Sequence, residues 1–160
     1  IIIGAGPGGI FAAYELMKKK PECKIAVFEE GYPLEKRKCP IDGEKIKSCI
    51  RCKRCSIMCG FGGAGAFSDG KLYTMIGDPR SKYVFEELVE AGAPEEILYT
   101  AKAHVGTDKL RILVKKLREK MISLGAEVRF ETCLTDLEIE DGILRAITVN
   151  GDERIETDTR

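Results

Sequence analysis

The chain begins Ile1-Ile2-Ile3-Gly4-Ala5-Gly6-Pro7-Gly8-Gly9, and this opening restricts the possible folds more than any later stretch. Three β-branched residues read as a buried parallel strand, and the glycines that follow turn it directly into a helix. Gly4, Gly6 and Gly9 stand at the G-x-G-x-x-G spacing of a turn that receives a dinucleotide. Each glycine meets a different steric demand: Gly4 allows the tight turn, Gly6 lets the backbone approach a pyrophosphate, and Gly9 lets the helix lie close on the strand. Pro7 and Gly8 lie within the same turn and join it as cofactor-binding candidates. The helix then aims its free N–H groups and positive dipole end at the phosphates.

The flanking residues supply the context that such a motif needs. Ile10 to Lys19 is expected to be helical with Ala12, Ala13, Leu16 and Met17 inward; Lys18 to Lys20 lie at its negative end and Pro21 stops it. Lys24 to Phe28 is an apolar second strand that runs into Glu29-Glu30-Gly31. Glu29 falls roughly twenty residues beyond Gly9, where an acidic side chain accepts hydrogen bonds from a ribose; Glu30 beside it is a second candidate.

Basic and acidic residues balance at 26 each, so overall charge points to neither nucleic acid nor a membrane surface. No apolar run approaches the roughly twenty residues of a membrane span. The first strand starts in its apolar middle without an initiator Met, and the chain stops at Thr157-Asp158-Thr159-Arg160. The expectation is an N-terminal part of a longer protein, truncated at both ends, forming one partial domain over residues 1–160.

Residues 32–59 form a polar, basic, cysteine-bearing insertion without periodicity, and residues 60–71 are a second glycine-rich loop. Ser81 to Ala91 reads as a helix with Val84, Phe85, Leu88 and Val89 on one stripe, followed by a short helical piece from Pro94 to Leu98. Thr107 is the expected N-cap of a long helix, in which Leu110, Leu113, Val114, Leu117, Met121 and Leu124 recur until Gly125. Ala126 to Glu131 is a third parallel strand with Val128 and Phe130 on one face. Leu134 to Glu140, Ile143 to Asn150 and Glu153 to Thr157 then alternate, separated by Asp141-Gly142 and Gly151-Asp152, as in an antiparallel meander. The fold class expected is therefore α/β, a Rossmann-like domain with a parallel sheet and a β-meander.

This order of elements resembles the FAD-binding domain of the glutathione-reductase-type FAD/NAD(P)-binding flavoproteins. A closer similarity, to bacterial FAD-dependent dehydrogenases, rests on Gly62-Gly63-Ala64-Gly65-Ala66-Phe67-Ser68-Asp69-Gly70-Lys71-Leu72 and on His104-Val105-Gly106-Thr107-Asp108-Lys109-Leu110. The resemblance implies FAD as cofactor, a small-molecule substrate or electron carrier as partner, and a further C-terminal part completing the site. Physically, Gly60, Gly62, Gly63, Gly65 and Gly70 leave little bulk, so that amides can approach a flavin or its phosphates. Ser68 and Lys71 are placed to donate to flavin carbonyls or substrate, with Asp69 orienting one of them. His104, the only histidine, stands just before the Thr107 cap as a candidate proton donor, and Lys71 is the other catalytic candidate. Arg37 is placed to reach adenine or pyrophosphate.

Seven cysteines are present, five of them between Cys39 and Cys59. Cys49-x2-Cys52-x2-Cys55-x3-Cys59 has the spacing of bacterial ferredoxins. Cys49, Cys52, Cys55 and Cys39 are the expected ligands of a 4Fe–4S cluster, with Cys59 competing with Cys39 for the fourth place. Zinc, or unmetallated reactive thiols, are the alternatives. The expected function is a cytoplasmic FAD-dependent oxidoreductase that passes hydride or electrons through FAD, with the cluster as a possible conduit. A non-catalytic nucleotide- or metal-binding regulatory module and the NAD(P)-binding domain of another reductase remain open beside it.

Overall fold

The computed structural model describes residues 1–72, 77–100 and 102–157. Strand β1 (Ile2–Ile3), helix α1 (Pro7–Lys19) and strand β2 (Ala26–Phe28) form a parallel crossover unit. Strand β5 (Glu127–Arg129) adds to the far side of β2, again parallel, giving the order β1-β2-β5. Between β2 and β5 lie β3 (Lys71–Leu72), α2 (Arg80–Glu90), β4 (Ala103–His104) and α3 (Thr107–Ser123). Strands β6 (Leu134–Glu140), β7 (Ile143–Val149) and β8 (Glu153–Glu156) close the chain as an antiparallel meander.

The result is three layers: helices, parallel sheet, meander. On the helix side, Ile2, Val27 and Val128 of the sheet meet Ile10, Ala13, Tyr14 and Met17 of α1 and Leu113, Leu117 and Met121 of α3. Full burial of each large apolar side chain contributes about 1.5–3 kcal/mol over exposure, so this layer dominates the core. On the other side, Phe28 packs with Ile147 and Val149 of β7. Ile1 and Ile3 alternate onto that second face and remain 46% and 48% exposed. The expectation of a wholly buried first strand is corrected here, because the meander covers β2 rather than β1.

Helix α1 buries Ile10, Ala13, Tyr14 and Met17, a spacing of i, i+3, i+4 and i+7. Ala12 and Leu16, expected inward, face outward. Tyr14 takes the inward position because its hydroxyl finds an acceptor, Leu117 O at 3.2 Å. Glu87, buried on α2, ties the helices together by pairing with Lys18 of α1 and with Lys120 of α3 at 3.5 Å.

The first meander turn fits two-residue hairpin geometry, with positive φ at Asp141 (51°) and Gly142 (75°) between the paired Glu140 and Ile143; the second leaves residues 150–152 between the paired Val149 and Glu153, with positive φ at Asn150 (56°) and Gly151 (92°). The second turn therefore contains the expected Gly151-Asp152 and takes in Asn150 as well. Asn150 leaves the strand because Oδ1 accepts the Cys133 N–H at 3.0 Å. Absent from the sequence expectation is the antiparallel pair β3–β4, which sets Lys71 opposite His104.

Candidate functional site

The site grows from the carboxyl end of β1. Gly4 takes φ +93° and donates its N–H to Phe28 O at 2.7 Å, which fixes the start of the turn against β2. Gly6 is the N-cap of α1, and no side chain caps the helix. The N–H groups of Gly8 and Gly9 belong to the first turn and lack intrahelical acceptors. A Cβ built on Gly4, Gly6 or Gly8 meets nothing within 4 Å, so the turn borders open space at these three positions. At Gly9 the opposite holds: a Cβ would lie 1.9 Å from Gly4 O. Only hydrogen fits there, as close helix–strand packing requires.

The second glycine loop docks on this turn. Gly62 N–H donates to Ala5 O at 2.8 Å. A Cβ on Gly63 would stand 3.3 Å from Pro7 Cδ and 3.4 Å from Gly6 Cα, and one on Gly62 would stand 2.7 Å from Val114 Cγ1 of α3. The two loops thus form one floor of backbone. An apolar cavity of about 170 Å³ adjoins it, lined in part by Pro7, Gly65, Ser68 and Lys71.

Beyond the floor, the Ser68 hydroxyl donates to Gly65 O at 2.7 Å and accepts the Gly70 N–H at 3.3 Å. Gly70 is pressed on Gly106, with 2.5 Å between a built Cβ and Gly106 N. Asp69 Oδ2 lies 2.6 Å from Lys71 Nζ, and that hydrogen bond holds the Asp69 carboxyl below its ordinary pKa. His104 Nε2 lies 2.8 Å from Asp69 O. Lys71, Asp69 and His104 are therefore brought together at the β3–β4 pair, as a group of exposed side chains. Thr107, expected as the N-cap of α3, occupies its first turn instead; Gly106 is the cap and the Thr107 hydroxyl donates to Ser68 O at 2.5 Å.

Two expected cofactor ligands have other duties. Glu29 is 6% exposed and turned inward. Its Oε2 accepts Ala5 N–H, and its Oε1 accepts the N–H groups of Gly31 and Gly60, each at 2.8 Å. A carboxylate offers about four acceptor sites, so one on Oε2 is left over. The expectation that Glu29 serves chiefly a ribose is corrected: it first stitches the glycine turn to the second loop. Arg37, 2% exposed, is corrected further. It donates to the carbonyls of Ser56 (2.9 Å), Ile57 (2.7 Å), Phe61 (2.8 Å) and Gly63 (2.9 Å), and its guanidinium lies 4.6 Å from the Phe67 ring centre. Four of its five donors are consumed, so Arg37 organises the loop and does not reach into the open space. Burial lowers its pKa, and the charge of Glu29 works against that. Glu30 is exposed at the mouth of β2.

Gly31 is a position the sequence left unassigned, and Gly60, expected to open the second loop to a flavin, is packed against it with its N–H on Glu29 instead. A Cβ on Gly31 would lie 2.3 Å from Gly60 N, and one on Gly60 would lie 2.6 Å from both Arg37 Cδ and Tyr32 O. The available signal was a glycine directly after an acidic strand end, together with the glycine that heads the second loop.

The cysteines do not assemble. Cys49 and Cys52 are exposed, Cys39, Cys55 and Cys59 half-buried, and all are free thiols. Among the described residues no three Cys, His, Asp or Glu side chains come together as a metal site, so iron–sulfur and zinc gain no support from the geometry. Arg37 holds the carbonyls that follow Cys55, and Cys59 N–H donates to Cys55 O at 2.8 Å; the run is folded around that guanidinium, with its thiols dispersed. Burial, helped by Glu30, raises the Cys59 thiol pKa.

These elements make a mixed α/β architecture compatible with a Rossmann-like fold. The crystal structure of Thermovibrio ammonificans THI4 superposes with a TM-score of 0.51 at 18% identity, over 93% of this chain and 46% of that one; the likeness is one of fold. An uncharacterized protein of Clostridium beijerinckii is 45% identical over 152 residues, which take in 94% of this chain and 28% of that protein. The chain thus spans less than half the length of either. No family model matches it. Among the described residues no helix is long and apolar enough to cross a membrane.

Proposed function

We propose that this chain holds FAD for an oxidoreductase, with the pyrophosphate resting on the uncapped N-terminus of α1. The observation that carries the reading is the paired glycine floor: an open turn at Gly4, Gly6 and Gly8, closed to bulk only at Gly9, with Gly62 and Gly63 packed against it. Backbone donors in such a concavity suit a diphosphate. Gly4, Gly6, Pro7, Gly8 and Gly9 would line the pyrophosphate, while the remaining Oε2 site of Glu29 and the exposed Glu30 would serve the ribose. Gly62, Gly63, Gly65, Ser68, Asp69 and Gly70 would border the flavin side.

Bound FAD supplies an electron-pair acceptor; the chain supplies position and proton control. A carbonyl can only accept, so the 2.8 Å contact to Asp69 O puts the hydrogen on His104 Nε2 and leaves Nδ1 of the neutral ring as a base. Lys71, paired with Asp69, brings a cation to the same corner for an anionic substrate or a flavin carbonyl. A small-molecule substrate or electron carrier fits this arrangement.

The test is FAD retention. The purified protein should carry the two flavin absorption bands through desalting. Gly6→Val should remove them without unfolding, because the new side chain enters open space at an ordinary φ of −73°. Failure of the unaltered protein to bind FAD, or equal binding by a folded Gly6→Val, overturns the proposal.

A further inference from the structure

Six described arginines, from Arg54 to Arg154, meet a carboxylate, and Arg37 is satisfied by four carbonyls. Arg51, exposed in the cysteine loop, meets none, and neither does Arg111 on α3. Its guanidinium lies 5.0 Å from the Phe67 ring centre, and among the described residues no acidic side chain pairs with it. Arg37 stacks on the same ring at 4.6 Å, so two cations flank one aromatic group, and Arg111 disfavours the charge of Arg37. Glu29 and the loop carbonyls offset Arg37; nothing described offsets Arg111.

Its position is equally specific. Phe67 ends the 3₁₀ turn Ala64–Phe67, which starts from Gly63, the residue set against Pro7 and Gly6. Val114, three residues on and hence on the same face of α3, touches the place a Cβ of Gly62 would fill. Arg111 therefore stands over the glycine floor, held by an aromatic ring and half-buried.

A pyrophosphate linkage carries roughly two negative charges, whereas a helix N-terminus offers about half a positive charge. Neutral amides alone leave most of that charge uncompensated. We infer that Arg111 is the cationic ligand for a phosphate of the dinucleotide bound at this floor, a role that rests on the FAD reading above. The guanidinium fork suits two phosphate oxygens, and stacking on Phe67 limits the side-chain entropy lost on binding.

The experiment titrates FAD against the protein, Arg111→Gln and Arg111→Lys, following flavin fluorescence over a range of salt, with inorganic pyrophosphate as competitor. Arg111→Gln should weaken FAD by about tenfold or more, flatten the salt dependence and lose competition by pyrophosphate. Arg111→Lys, which keeps the charge and loses the fork, should fall between. FAD binding by a folded Arg111→Gln within twofold of the unaltered protein, with the same salt slope, overturns this role and leaves the FAD reading standing. If Arg111→Gln does not fold, Arg111→Lys decides: binding and salt slope equal to the unaltered protein, with undiminished pyrophosphate competition, overturn the role. No FAD binding by the unaltered protein overturns both.

Discussion

The insertion after β2 has two halves that the same chain treats in opposite ways. Residues 32–37 and 56–63 are held from both sides. Glu29 takes the Gly60 N–H, Arg37 takes four carbonyls, and Gly31 and Gly60 touch where neither tolerates a Cβ. Residues 38–55 are largely exposed and organised locally, as where Asp42 Oδ1 accepts the N–H groups of Glu44, Lys45 and Ile46. The cysteines that stand out in the sequence belong mostly to the loose half. Structural energy lies in the anchored half, in one glutamate and one arginine of ordinary appearance. A motif made prominent by its chemistry is a poor guide to where a fold is fastened.

The largest test of that contrast is Arg37→Ala. It strands four carbonyls and leaves the buried Glu29 without its counter-charge, so urea unfolding should show a loss of about 3–5 kcal/mol. A loss under about 1 kcal/mol would erase the distinction between the halves. Next comes Glu29→Gln, which turns an amide donor toward backbone donors; the expected cost is about 2–3 kcal/mol in the same measurement, with the glycine turn and the Gly60 loop loosened together.

Glu35 sharpens the edge of the anchored half. Its carboxyl, hydrogen-bonded by Arg118 of α3, titrates at about 2 rather than 4.5. A lowered native pKa means this stabilisation is complete above about pH 4.5 and is lost as pH falls toward 2. Glu35→Gln should flatten the acid limb of stability against pH in that window. Because the Glu35 side chain is 45% exposed, screening keeps the difference below about 1 kcal/mol. The smallest effect is expected for Cys52→Ser in the loose half, within about 0.5 kcal/mol of the unaltered protein.

Periodic features were legible in advance. The apolar stripe of α3 from Leu110 to Met121, the antiparallel strands of the meander and the steric role of Gly9 each follow from spacing within a few residues, and the structure agrees; Leu124, expected in the stripe, caps α3 at 52% exposure, and β6 is exposed along nearly its whole length. Pairings that depend on distant segments were hidden. Glu29 meets Gly60 across 31 positions and Arg37 meets Gly63 across 26, so nothing beside either residue announced the bond. Tyr14 turned inward because α3 offered a carbonyl, a fact no α1 pattern contains. The β3–β4 pair has two residues in each strand, too few for any alternation to register. Asn150 ends an alternating run in the sequence, while its positive φ of 56° goes with a bond to Cys133, 17 positions away.

The inward turn of Glu29 also sets how this region breathes. A single carboxylate receives hydrogens from Ala5, Gly31 and Gly60, so none of those amides can meet solvent deuterium through a private fluctuation. All three should exchange in one concerted opening, at a common rate. A ligand settling on the first turn would then slow isotope uptake at Gly60, on a loop it need not touch.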